Sequence, residues 1–248
     1  MSYIIKNEFL KYRKNKSLVV LFLLSLVPLM LNITNLLVNN PKNVSDFYFT
    51  YYNQHTFFFP LTISLIIATV FYGEFKDNMY FNWITYGVSK TQLYLGKYLF
   101  SLIISLLTTL LNYLLLLGAL KIFSSKFIFY NFSVTKMTLS FFEYSFMMML
   151  FCLFFGSILV LLTRNIVVSV SFVFVFMIVS AVFMAAPFSY FIPFSFPYRV
   201  GLGAVDQGYY YSNPNQATII GFIIYFLTIV CLFVVVNLIM RKKRTIEN

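Results

Sequence analysis

Six long apolar stretches constrain this chain more than any other feature. They run at about 17–38, 56–71, 99–120, 142–162, 166–184 and 217–240. A helix rising about 1.5 Å per residue needs about 20 apolar residues to cross roughly 30 Å of hydrocarbon. Backbone groups find no water in lipid, so such segments are helices or a closed barrel. Barrel strands alternate in character. Leu102-Ile103-Ile104 and Phe172-Val173-Phe174-Val175-Phe176 do not, so the prediction is an all-α, polytopic membrane protein with six spans. The second stretch is short unless the aromatics before it extend the helix. The first is longer than a signal-peptide core of about 7–15 residues and lacks a prompt small-x-small cleavage site, so it is expected to stay as an anchor.

Composition agrees and removes alternatives. Apolar residues make up 60% and charged ones 10%, against about 45–50% and 25% in soluble domains. A soluble globule, a disordered tail and a fibrous repeat are excluded. Two cysteines cannot build a disulfide framework, and Cys152 and Cys231 read as packing residues. A single His, His55, supplies neither a zinc ligand set nor a hydrolase of its own; no metal site is predicted. The formal charge of +11 is spread too thinly for nucleic acid.

That charge sorts by side. With both termini in the cytoplasm, 13 of the 18 Lys and Arg face inward: Lys6, Lys11, Arg13, Lys14, Lys16, Lys76, Lys90, Lys97, Arg164, Arg241, Lys242, Lys243 and Arg244. Only Lys42, Lys121, Lys126, Lys136 and Arg199 face out. Basic residues in short loops stay inside, so a multi-pass plasma-membrane topology with cytoplasmic ends is expected.

The loop after the second span carries most of the remaining information. Tyr80, Trp83, Ile84 and Gly87 recur at helical spacing. Asp77 suits a helix start and Gly87 a left-handed end. Ser89 with Gln92 forms a capping box for the helix that follows. A short helix over 77–88 is predicted. Its apolar face suits an interfacial aromatic belt or a cytoplasmic protein groove. At the N-terminus, Ile5, Phe9 and Tyr12 share a face and Lys6, Lys11, Arg13 and Lys14 lie near it. Residues 1–16 therefore read as an interfacial helix on the inner leaflet.

A basic amphipathic N-terminus, six spans, a Glu-bearing loop helix and a Pro- and aromatic-rich segment before the last span resemble the permease subunit of a type-two ATP-binding-cassette exporter. Glu74, the Gly87-Val88-Ser89-Lys90 turn and Lys97 match the family pattern in position, with Gly87 and Lys90 where Pro and Arg are common. The nearest flavour is the permeases for antimicrobial or cytolytic peptides, including lantibiotic-immunity and phenol-soluble-modulin exporters. The resemblance implies that 77–88 is a coupling helix received by a separate ATPase subunit, with Glu74, Asp77, Tyr80, Trp83, Ile84, Gly87, Ser89 and Lys90 around it. It also implies ATP and magnesium in that partner, and a second permease copy, identical or related. The chain itself carries no phosphate loop, since Gly96-Lys97 is followed by Tyr98, so no enzyme activity or cofactor of its own is expected.

Polar residues within the spans are few. Asn112, a turn after Thr108 and Thr109, suits helix–helix bonding or a pathway lining. Glu143 is placed at the start of the fourth span, near the outer face and within reach of Lys136. A mid-membrane carboxylate costs about 2.5–3.5 kcal/mol, so Glu143 reads as an interfacial acid or as a contact for a cationic peptide. Residues 187–215 are too apolar for a free loop and too broken for a span. They suit a re-entrant outer segment in which Arg199 and Asp206 could pair, beside a rim of the 46–52 aromatics and His55. An intramembrane enzyme would need paired acids or several His, and an ion-coupled carrier or channel more ionisable residues. An exporter of amphipathic peptides fits better, with drug or lipid export as the alternative cargo.

Overall fold

The computed structural model describes residues 2–13, 16–38, 42–76, 89–128 and 133–242. Nine α-helices occur among them: α1 Ser2–Tyr12, α2 Lys16–Ser25, α3 Val27–Val38, α4 Val44–Lys76, α5 Lys90–Ile122, α6 Val134–Thr163, α7 Ile166–Val182, α8 Phe196–Val205 and α9 Pro214–Lys242. Four of them, α4, α5, α6 and α9, are long and apolar enough to cross a membrane.

The first predicted span is not one straight rod. α2 and α3 meet at a bend of 45°. Pro28 explains the position: proline lacks the N–H an interior helix needs but fits the first turn. Breaking the helix at Leu26 places Pro28 in the first turn of α3. At 17 residues, α7 is apolar but shorter than the four helices long enough to cross a membrane. Its link to α6 is tight: Arg164 adopts a left-handed φ of 49°, and the Asn165 side chain accepts from the amides of Val167 and Val168.

The second span is longer than its apolar core. α4 begins at Val44, and Val44, Phe47, Tyr48, Tyr51, Tyr52, His55, Phe59, Ile63, Ile66, Ile67 and Val70 form one buried stripe. Their spacing is that of a helix face packed on other helices. His55 therefore sits inside the bundle, against Tyr51, Phe59, Phe141 and Tyr144, and not on an outer rim. Its Nε2 lies 3.2 Å from Ser145 Oγ.

The bundle centres on α6, which contacts α4, α5, α7, α8 and α9. Of its most apolar window 67% is buried, against 17% for α9. α9 is thus peripheral, and Cys231 lies exposed on it while Cys152 is buried in α6. At the end of the bundle opposite α1, Lys42–Asn43 and Phe127–Ile128 pair as two short parallel strands. No sequence pattern points to them.

Pro60 lies inside α4 without ending it. A proline there removes the donor for the Thr56 carbonyl. The Tyr144 hydroxyl of α6 donates to that oxygen instead, at 3.0 Å. α4 and α6 are joined at the one carbonyl the proline would orphan. Tyr144→Phe, which keeps the ring, should therefore cost about 1–3 kcal/mol. In a Pro60→Ala background the restored N–H should remove most of that loss. Thermal unfolding midpoints of the four proteins in one detergent check this, and equal losses with and without Pro60 would reject it.

Candidate functional site

The end of the bundle where α4 finishes and α5 begins is built by α1, the last turns of α4 and the first turns of α5. Ser89 caps α5 as its sequence predicts: its Oγ accepts from Gln92 N at 3.2 Å, and Gln92 Oε1 accepts from Ser89 N at 3.3 Å. One turn further, Gly96 leaves a notch in α5. A methyl group there would press within 2.5 Å of Ile4 Cγ2, so α1 lies directly on the α5 backbone.

A buried ion pair forms beside that notch. Lys97 Nζ donates to Glu8 Oε1 at 2.9 Å and to the Val70 carbonyl at 3.2 Å. The side chains are 2% and 1% exposed. Tyr12 continues the seam by donating to the Thr69 carbonyl at 3.1 Å, while Tyr12 and Phe9 both lie against Phe100. The inward face of α1 is thus Ile4, Glu8 and Tyr12. Apolar spacing alone predicts Ile5, Phe9 and Tyr12, because it allows no acid on the buried face. Phe9, Leu10 and Tyr3 are exposed, as are Lys6 and Arg13. α1 is consequently a docked helix with a mixed outer face.

Polar groups deeper in the bundle are used between helices. Asn112 is buried, and its amide donates to Ser25 Oγ at 2.8 Å and to the Thr108 carbonyl at 2.9 Å. Ser25 is the residue before the bend of the first span, so α5 holds that bend by a side-chain bond. Above it, Asn32 Nδ2 donates to Gln54 Oε1 at 2.7 Å, tying α3 to α4.

The 187–215 segment is ordered around α8 and is carried by tyrosines. Tyr52 donates to the Tyr198 carbonyl at 3.0 Å, and Tyr198 donates to Asn53 Oδ1 at 2.7 Å. Gly201 permits this approach, since a methyl group there would overlap the Tyr52 hydroxyl and meet the Ser140 carbonyl. Arg199 and Asp206 do not pair. Arg199 donates to the carbonyls of Met184 and Ala185 at 2.9 and 2.7 Å and lies 4.7 Å from the Tyr211 ring centroid. Carbonyls past the end of α7 need donors, and a guanidinium supplies two. Asp206 accepts from Gly208 N at 2.9 Å in a local turn. Burial, opposed by a bond from Ser189 and by Arg199, pushes the Tyr211 phenol up to about 12. A small crevice of about 150 Å³ opens beside it between Pro187, Tyr190 and Gln216.

A family model for ABC-2 family transporter proteins matches residues 4–180. The chain belongs to that family. The match runs from α1 through almost all of α7 and includes the Glu8–Lys97 seam. No curated protein and no solved structure matches the chain. The transporter is accordingly a multi-pass membrane permease component of an ABC exporter. No group of three or more metal-ligating side chains occurs among its described residues.

Part of the set of site residues predicted from sequence can be located. Asp77, Tyr80, Trp83, Ile84 and Gly87 lie outside the described residues, as do the side chains of Glu74 and Lys90, whose backbones end α4 and begin α5. Asn112 is committed to helix contacts, and Arg199 and Asp206 to backbone groups. Glu143 is not at a helix start: α6 begins at Val134, nine residues earlier. Among the described residues it makes no ion pair with Lys136. Sequence reasoning missed the union of Glu8 with Lys97. The signal was present, since a lone acid in a basic amphipathic helix requires a partner when that helix is docked.

Removing one partner from a buried ion pair leaves an uncompensated charge and costs about 3–5 kcal/mol. Lys97→Met should release α1 and speed tryptic cleavage after Lys11. Glu8→Gln should do so less. The double variant Glu8→Leu with Lys97→Met should return most of the protection, read as the cleavage rate of detergent-solubilised transporter.

Proposed function

We propose that this transporter is the membrane half of an exporter that removes amphipathic peptides, antimicrobial or cytolytic, from the membrane or cytoplasm. ATP with magnesium is hydrolysed by a separate ATP-binding-cassette subunit, which receives the 77–88 loop as a coupling helix. Six spans are made from the bent α2–α3 pair, α4, α5, α6, the short α7 and α9, with both termini cytoplasmic. Two permease copies, identical or related, complete the assembly.

The observation that carries this reading is the bracing of the two helices that flank the loop. α4 and α5 are pinned together at that end by one helix, through Tyr12 on Thr69 and through Glu8, Lys97 and Val70. A push on the loop is thereby delivered to α4 and α5 as a unit. The peptide cargo is supported by how the polar groups are used. Asn112, Thr108 and Thr109 are bonded within the bundle, so they favour packing over the ionisable lining that ion-coupled transport needs. The broad apolar faces of α5, α7 and α9 suit a cargo that partitions into lipid.

Trp83→Glu places a charge on the apolar face of the coupling helix. Membrane insertion should be retained, and co-purification of a co-expressed ATPase subunit should fall at least about tenfold, a loss of about 1.4 kcal/mol. An unchanged yield of complex would remove the coupling-helix assignment.

A further inference from the structure

The clamp on α4 and α5 uses only one face of α1. Ile4, Glu8 and Tyr12 turn to the bundle. The opposite face carries Tyr3, Lys6, Leu10 and Arg13, at intervals of three, four and three residues, which is one stripe of a helix. Arg13 belongs to it because its N–H donates to the Phe9 carbonyl at 2.9 Å and so continues the helical path. Tyr3 is 68% and Leu10 58% exposed, and Lys6 and Arg13 are exposed as well. Glu8 is the one acid of α1, and it is spent on Lys97 at the buried side. No acid of α1 therefore offsets the two cations of the stripe.

α1 lies across the starts of other helices. Ile4, Glu8 and Tyr12 meet Gly96, Lys97 and Phe100 in turn. Eight residues of α1, about 12 Å, thus advance by four residues of α5, about 6 Å, so α1 crosses α5 obliquely. The apolar length of α5 begins at Thr91, and the bent α2–α3 pair begins at Lys16. Lys16 is three residues after Arg13, within about 10 Å of chain. The stripe is thereby held beside the points where two apolar helices begin. A protein groove that takes an amphipathic helix asks for apolar anchors at successive turns, and here every second anchor position is a cation. A bilayer surface accepts both kinds, with basic groups at the phosphates and apolar groups at the acyl boundary.

We propose that the Tyr3–Lys6–Leu10–Arg13 stripe binds anionic lipid. Lys6 and Arg13 hold headgroup phosphates, and Tyr3 and Leu10 lie against the upper acyl chains. This goes beyond the export reading and holds for any cargo.

The test uses the full chain in phosphatidylcholine nanodiscs. A fluorophore is attached at Asn7→Cys, on the flank of the stripe, in a Cys231→Ser background, since Cys152 is buried. Quenching by chain-nitroxide phosphatidylglycerol is compared with quenching by phosphatidylcholine bearing the same label. With Lys6 and Arg13 present, half-maximal quenching should need at least about fivefold less of the anionic lipid. Lys6→Gln with Arg13→Gln should make the two lipids equal without moving the thermal unfolding midpoint, because both side chains are exposed. Lys6→Arg with Arg13→Lys should keep the preference, as should Lys121→Gln at the far end of α5. Equal quenching by the two lipids with the native side chains overturns the proposal. So does a preference that survives the double Gln variant, or one that Lys121→Gln abolishes equally. An unchanged lipid preference in the double Gln variant, together with poorer co-purification of a co-expressed ATPase subunit, would assign the stripe to a protein and overturn it too.

Discussion

A carbonyl that loses its helical donor inside a bilayer finds no water to replace it, at a cost of several kcal/mol. Much of this structure is a response to that constraint. Pro60 frees the Thr56 oxygen, and Tyr144 reaches across from α6 to fill it. The end of α7 exposes carbonyls at Met184 and Ala185, and Arg199 takes both. Tyr48, Tyr52 and Tyr225 also donate across to the carbonyls of Met137, Tyr198 and Met147, which lie within helices. Each of these bonds joins two elements, and at Thr56, Met184 and Ala185 it also supplies a donor the backbone lacks. This explains why so many tyrosines are buried. A tyrosine brings a large apolar ring and one donor at its tip, which is what a helix junction in lipid requires.

The Glu8–Lys97 pair extends the same logic to charge. Two ions out of water are expensive, and their attraction offsets the cost only when the geometry is close and further bonds are made. Here the distance is 2.9 Å and Val70 gives Lys97 a further acceptor. Apolar residues would dock α1 equally well in energy. An ion pair docks it in one register, because a slip of one residue strands both charges. With Gly96 admitting Ile4, α1 has one seat on the α4–α5 end. A helix held that specifically cannot slide along the two helices it joins.

The helical class and the approximate positions of the apolar segments are legible in the sequence because they follow from length and apolarity alone. Their true extents are not. Hydropathy undercounts Tyr, His, Ser and Thr, so it starts α4 at residue 56 although the buried stripe begins at Val44. It starts α6 at residue 142 although Ser133 caps that helix. The capping box at Ser89 is legible because it is local. The pairings of Glu8 with Lys97, Asn112 with Ser25 and Tyr144 with Thr56 are not, since their partners lie 87–89 residues apart. A pattern within one helix says that a polar side chain needs a partner without saying which. The expected Arg199–Asp206 pair fails for the converse reason. Opposite charges seven residues apart look sufficient, whereas unsatisfied carbonyls and a local turn make stronger claims on each.

These pairings also bear on where cargo passes. The interior between α4 and α6 is filled by aromatic rings, with His55 against both Phe141 and Tyr144. Asn112, Ser25 and Asn32 join α2, α3 and α5 to each other or to α4 by side-chain bonds. A hydrated path through such an interior would have to break several of these bonds at once. A route along the outside of the bundle breaks none. The same dryness that makes each internal bond costly to lose therefore counts against a route through the middle of a single copy.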